Sequence, residues 1–138
     1  MSNDLVWSVK NGDLEQVKEL IKTHKININE QIDGRTPVIY AADYGQREIL
    51  EYLIIIGANV NATDKHGITA LLAAIWEGHT DCVKLLLESG AETKLKTPDG
   101  KSYLEVAEKP EVKSLLEQRN LPSKMEDLLI EGQGNAVN

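Results

Sequence analysis

Apolar side chains recur along the chain at the three- and four-residue spacing of a helical stripe, once at Ile49, Leu50 and Leu53 and again at Val83, Leu86 and Leu87. Ahead of each stripe the pattern predicts a shorter helix, over about Pro37–Asp43 and Ala70–Glu77. Thr36 and Thr69 precede these helices, where a Thr hydroxyl caps free N–H groups, and Pro37 costs nothing at a first helical position. Gly45 and Gly78 end the short helices, because glycine tolerates the left-handed conformation of a helix end, and Gly57 and Gly90 close the longer ones. Residues 58–67 are extended and turn-rich and are predicted to project as a hairpin-like finger.

These elements return on a fixed period. Gly34, Gly67 and Gly100 are spaced by thirty-three residues, as are Gly12, Gly45 and Gly78, and as are Gly57 and Gly90. Superposing the series lays residues 36–61 over 69–94, and residues 11–21 enter at the same phase. The pattern predicts an all-α solenoid of about four stacked helix-turn-helix repeats with finger-like hairpin loops, at about 1–33, 34–66, 67–99 and 100–118, then a short tail over 119–138. Both end repeats are atypical, as solenoid caps are: the first begins inside its first helix at about Asn3–Lys10, and the fourth is about three residues short between Ala107 and Val112. Lys10, Lys18 and Lys22 at one end and Glu105, Glu108 and Glu111 at the other supply polar outer surface. In the tail, Ser123 and Glu126 have the S-x-x-E form of a capping box, and Met125, Leu128 and Leu129 share a face. A short helix is therefore predicted over 123–131, which docks on the last repeat or frays, with a disordered end after it.

Charge narrows the function classes. Fifteen Lys and Arg stand against twenty-two Asp and Glu, a net charge of -7 that suits a basic partner and disfavours phosphate backbones. Apolar runs such as Leu53–Ile56 and Ala70–Trp76 are far short of the about twenty residues a membrane span needs. Asp4 and the absence of an apolar run near the amino terminus give no signal-peptide pattern. One cysteine, Cys82, makes neither an internal disulfide nor a zinc site. The expected compartment is the cytoplasm, with the nucleus as an addition, and the expected oligomeric state is a monomer.

The thirty-three-residue period, the Thr36-Pro37 opening, the small Ala41, Ala42, Ala73 and Ala74 and the Gly57-Ala-Asn-Val-Asn61 finger together resemble the ankyrin repeat family. Small side chains make physical sense there, because stacked first helices approach closely. Within that family Lys10–Lys18, Tyr40–Gln46, Asp64–Thr69, Glu77–His79 and Cys82–Leu87 are similar to the myotrophin family of four-repeat proteins, over about residues 1–118. The resemblance implies a non-enzymatic protein that needs no cofactor, binds the heterodimeric actin capping protein over its basic surface and so relieves barbed-end capping. A weaker implication is a scaffold for another partner, such as a Rel-type transcription factor or signalling protein.

In ankyrin repeats the two positions before the helix-ending glycine face the concave side, and here they hold Lys10-Asn11, Asp43-Tyr44 and Trp76-Glu77. An aromatic beside an acid is the composition of an interface anchor with a charge partner. The competing reading lays Trp76 flat over its neighbours as peripheral core. Tyr44 stands where the family has a smaller residue. At the finger tips, Asp33, Arg35, Lys65 and His66 are further candidate contacts, whereas Asp99 reads as a turn residue. Trp7 stays open between end-cap packing and partner contact. Cys82 reads as a small core residue, His79 as a hydrogen bond between loops, and the three His residues lack metal-ligand spacing. Asn61 resembles the finger asparagine that asparaginyl hydroxylase modifies, with turn stabilisation as the alternative.

Overall fold

The computed structural model describes residues 2–119. Among the described residues eight helices follow one another: α1 (Ser2–Lys10), α2 (Leu14–His24), α3 (Pro37–Asp43), α4 (Arg47–Ile55), α5 (Ala70–Glu77), α6 (Thr80–Glu88), α7 (Tyr103–Val106) and α8 (Pro110–Arg119). They pair as antiparallel hairpins whose first helices, α1, α3, α5 and α7, stack in one layer, while α2, α4, α6 and α8 stack behind them. The described residues contain isolated bridges and no strand. The predicted tail helix over 123–131 lies outside the described residues.

Alanines set the spacing of the inner layer. Ala41, Ala42, Ala70 and Ala74 are fully buried between neighbouring first helices, where a longer side chain would force the units apart. Ile49, Leu50 and Leu53 of α4 and Val83 and Leu86 of α6 fill the space between the layers. α7 keeps only four residues, ending where Ala107 turns extended at φ -74° and ψ 126°, and Pro110 starts the next helix as the first residue of α8. A reciprocal capping box fixes its start: Ser102 Oγ accepts from the Glu105 amide at 3.0 Å and the Ser102 amide donates to Glu105 Oε1 at 2.7 Å.

Side chains tie each unit to the one before it. Gln46 Nε2 donates to the Lys10 carbonyl at 2.9 Å, His79 Nε2 to the Asp43 carbonyl at 3.1 Å, and Lys109 Nζ to the Gly78 carbonyl at 2.7 Å. A second ladder runs along the finger roots. Asn29 Oδ1 accepts from the Asn59 amide at 2.8 Å and Asn61 Oδ1 from the Glu92 amide at 2.8 Å. Three antiparallel bridges close the fingers, Ile32 to Arg35, Thr63 to Thr69 and Lys96 to Ser102.

Two expectations are corrected. Thr69 caps α5, its Oγ1 accepting from the Leu72 amide at 3.1 Å, but Thr36 makes no such bond at α3. The Ile39 amide that would reach it donates instead to the Thr36 carbonyl at 3.0 Å, which leaves Thr36 Oγ1 buried without a partner among the described residues. Lys10 is also not outer polar surface. Its ammonium folds inward, 5.6 Å from the Tyr40 ring centre and 5.4 Å from that of Tyr44.

Candidate protein-binding surface

Trp76 and Glu77 occupy the last turn of α5, immediately before Gly78, whose left-handed conformation ends the helix. Trp76 keeps 45% of its surface exposed, which removes it from the core, and Glu77 is exposed with no ion pair or hydrogen bond among the described residues. One unit earlier, Tyr44 caps the end of α3 and is 44% exposed, with Lys10 over its ring. Trp7, on α1, is 60% exposed, so end-cap packing does not account for it.

Asp43 and Arg35 come together, with Arg35 Nη1 3.4 Å from Asp43 Oδ2. The same guanidinium lies 3.8 Å from the buried Asp64 carboxylate through Nε and 5.8 Å from the Tyr40 ring centre. The charge of Asp43 is thus offset within the molecule, and its carbonyl is held by His79. Glu77, by contrast, is an unpaired acid beside the exposed Trp76 among the described residues. At the first finger, Asp33 and Gly34 both take positive φ, 54° and 88°, inside a two-residue turn closed by Ile32 and Arg35. Asp33 is exposed there for reasons of turn geometry. Lys65 and His66 are exposed on the second finger, where the His66 amide donates to Asp64 Oδ1 at 2.8 Å.

Asp64 is the residue that sequence reasoning passed over. Its carboxylate accepts from the His66 and Ile68 amides, at 2.8 and 2.9 Å, and so shapes the finger that presents Lys65 and His66. The signal was available, since an Asp two residues before a turn's second half is a recurrent Asx turn. Asp99 accepts from Thr97 Oγ1, and that hydrogen bond holds its carboxyl below the usual range, in keeping with a turn residue. Asn61 is half-buried, and its side chain bonds both the Glu92 amide and, at 3.5 Å, the Gly90 carbonyl.

Nucleophilic chemistry has no support at Cys82. Burial pushes its thiol up to about 11, with Asp81 adding to the rise and Arg47 opposing it, so the reactive thiolate is scarce at neutral pH. Among the described residues no group of three or more His, Cys, Asp or Glu is placed to hold a metal ion, and no helix is long and apolar enough to cross a membrane.

Comparison with known proteins gives concordant results. The family described as Ankyrin repeats (3 copies) matches residues 5–97. Myotrophin of Xenopus tropicalis is 51% identical over 114 residues, covering 82% of this chain and 96% of its own. The 26S proteasome non-ATPase regulatory subunit 10 of Dictyostelium discoideum is 40% identical over 92 residues, 65% of this chain and 40% of that protein. A chain in the complex of the Bd0816 predatory endopeptidase of Bdellovibrio bacteriovorus with immunity protein Bd3460 superposes with a TM-score of 0.80 at 26% identity, covering 85% of this chain and 63% of that one. The ankyrin repeat domain of Bcl-3, a member of the IkappaB protein family, gives 0.74 at 30% identity, covering 82% of this chain and 50% of that one.

Proposed function

Because the chain belongs to the ankyrin repeat family, and within it to the myotrophins, we propose that this protein-binding module binds the heterodimeric actin capping protein and keeps it from filament barbed ends. The observation that carries the reading is the Trp76-Glu77 pair, a half-exposed indole beside an unpaired carboxylate, at the positions that face the concave side in ankyrin repeats. An indole supplies a large rigid contact at low entropic cost, and a carboxylate selects a basic patch. Trp7 and Tyr44 on the neighbouring first helices extend the aromatic contacts, and Asp33, Arg35, Lys65 and His66 form the rim. No bond is made or broken. The module acts by covering the surface that would otherwise meet actin, and the cytoplasm is the matching compartment.

Seeded actin assembly tests the reading. With capping protein present, adding this protein restores barbed-end growth, and substituting both Trp76→Ala and Glu77→Gln weakens the effect by about 2 kcal/mol or more. Association slows with added salt, because a net charge of -7 steers encounter with a basic surface. No restoration of growth at high micromolar protein overturns the proposal. The likeness to the Bcl-3 domain favours one second reading, a scaffold for a Rel-type transcription factor. Capture of such a factor by a Trp76/Glu77 variant that has lost capping protein would separate the two.

A further inference from the structure

The outer layer carries shallow grooves between neighbouring second helices, one of about 240 Å³ between α2 and α4 and another between α6 and α8. α6 and α8 border a groove of about 250 Å³, lined by Lys84, Leu87, Glu88, Leu115, Gln118 and Arg119. In the second repeat the corresponding residue is Tyr52, six positions after Gln46, and the Lys18 ammonium lies 5.5 Å from its ring centre. In the last repeat the residue six positions after Lys109 is Leu115, which is smaller and has no aromatic face. Lys84, the counterpart of Lys18, therefore has no ring to cover. Neither Lys84 nor Arg119 makes an ion pair among the described residues, so the groove has an apolar floor, Leu87 and Leu115, and a rim of two unpaired cations against one acid, Glu88.

The chain leaves the repeats at this groove, since Arg119 both ends α8 and lines it. Nineteen residues follow. Pro122 disfavours helix at Leu121. Beyond it Met125, Leu128 and Leu129 share a helical face, and residues 120–131 carry Lys124 against Glu126, Asp127 and Glu131, a net charge of -2. We propose that residues 123–131 dock in the α6/α8 groove as a short helix, with Met125, Leu128 and Leu129 on Leu87 and Leu115 and the acids matched to Lys84 and Arg119. Three residues of extended chain, 120–122, reach about 10 Å, enough to start the helix beside the groove that Arg119 lines. A helix this short is marginal alone in water, but a short tether holds it at an effective concentration of roughly millimolar, so a weak contact suffices. The docked segment would cover the exposed end of the stack on the layer away from Trp76 and Glu77, leaving the concave side free.

Methyl-labelled full-length protein tests this directly, because only Met1 and Met125 carry a methionine methyl. Contacts from the Met125 methyl to Leu87 and Leu115 are expected. Substituting Leu128→Asp and Leu129→Asp should remove them and speed amide exchange at Leu115–Gln118 roughly threefold or more, with α4 unchanged. Lys84→Glu should weaken the same contacts, and adding Glu126→Lys should restore them. The proposal is overturned if the wild-type methyl shows no such contact, or if the aspartates leave α8 exchange untouched. Contacts that strengthen with protein concentration would assign the groove to a second copy and overturn it equally.

Discussion

Thr36 and Thr69 stand thirty-three residues apart at the same step of two helix starts, and replacing each by valine should move stability in opposite directions. Thr69 Oγ1 accepts from the Leu72 amide at 3.1 Å and lies 2.9 Å from the Tyr103 hydroxyl, itself buried. Valine there removes a cap and strands a buried phenol, a loss of roughly 2 kcal/mol. Thr36 Oγ1 is also buried, but one period before Tyr103 stands Ala70, which has no hydroxyl to offer, and the local amide is taken by a carbonyl. Valine keeps the shape and the extended backbone of Thr36, φ -81° and ψ 159°, and removes an unpaired hydroxyl. A gain of about 1 kcal/mol is expected, since burying a polar group without a bond costs roughly 1–3 kcal/mol. Urea unfolding measures both, read as a shift of midpoint at constant slope. Thr36→Val costing as much as Thr69→Val would refute the reasoning, because the two hydroxyls would then contribute alike.

Three further outcomes follow from the same geometry. Lys25 ends α2 in the left-handed conformation, φ 49° and ψ 47°, so Lys25→Gly should stabilise by roughly 0.5 kcal/mol, seen as a higher urea midpoint. A Cβ on Gly45 would sit 2.7 Å from the His79 ring whereas one on Gly57 would meet nothing within 4 Å. Gly45→Ala should therefore cost more than about 2 kcal/mol and Gly57→Ala about 1–2, the latter from backbone strain alone, and equal losses in urea would contradict this. The Cys82 thiol is raised from 9.0 to about 11, so it stays protonated in the fold while the unfolded chain ionises. Its contribution is whole below pH 9 and is lost as pH rises through about 11, so stability should fall more steeply over that window in wild type than in Cys82→Ala.

Much of the architecture was legible because glycine spacing and apolar stripes are local properties. α3 and α5 fall at Pro37–Asp43 and Ala70–Glu77, as the Thr openings and Gly stops predicted. What escaped depends on stacking. The second partner of Thr69, the Tyr103 hydroxyl, comes from the next unit, and no such group reaches Thr36. The folding of Lys10 over Tyr44 likewise joins residues that meet only after α1 and α3 are laid side by side, whereas Arg35 and Asp43 flank the same helix. The capping box at Ser102 and Glu105 could have been read from its S-x-x-E spacing, the same form noted at Ser123 and Glu126.

The rungs from Gln46, His79 and Lys109 bear on how such a chain can grow. Each donor is a side chain carried by its own unit, and each acceptor is a main-chain carbonyl that every unit possesses. A duplicated unit would bring its own donor and find its acceptor waiting, whatever the neighbouring side chains. Three different residues serve as the donor here, so the rung constrains reach rather than residue type. Lengthening by tandem duplication and drift of sequence within each copy are thereby compatible with one unbroken stack.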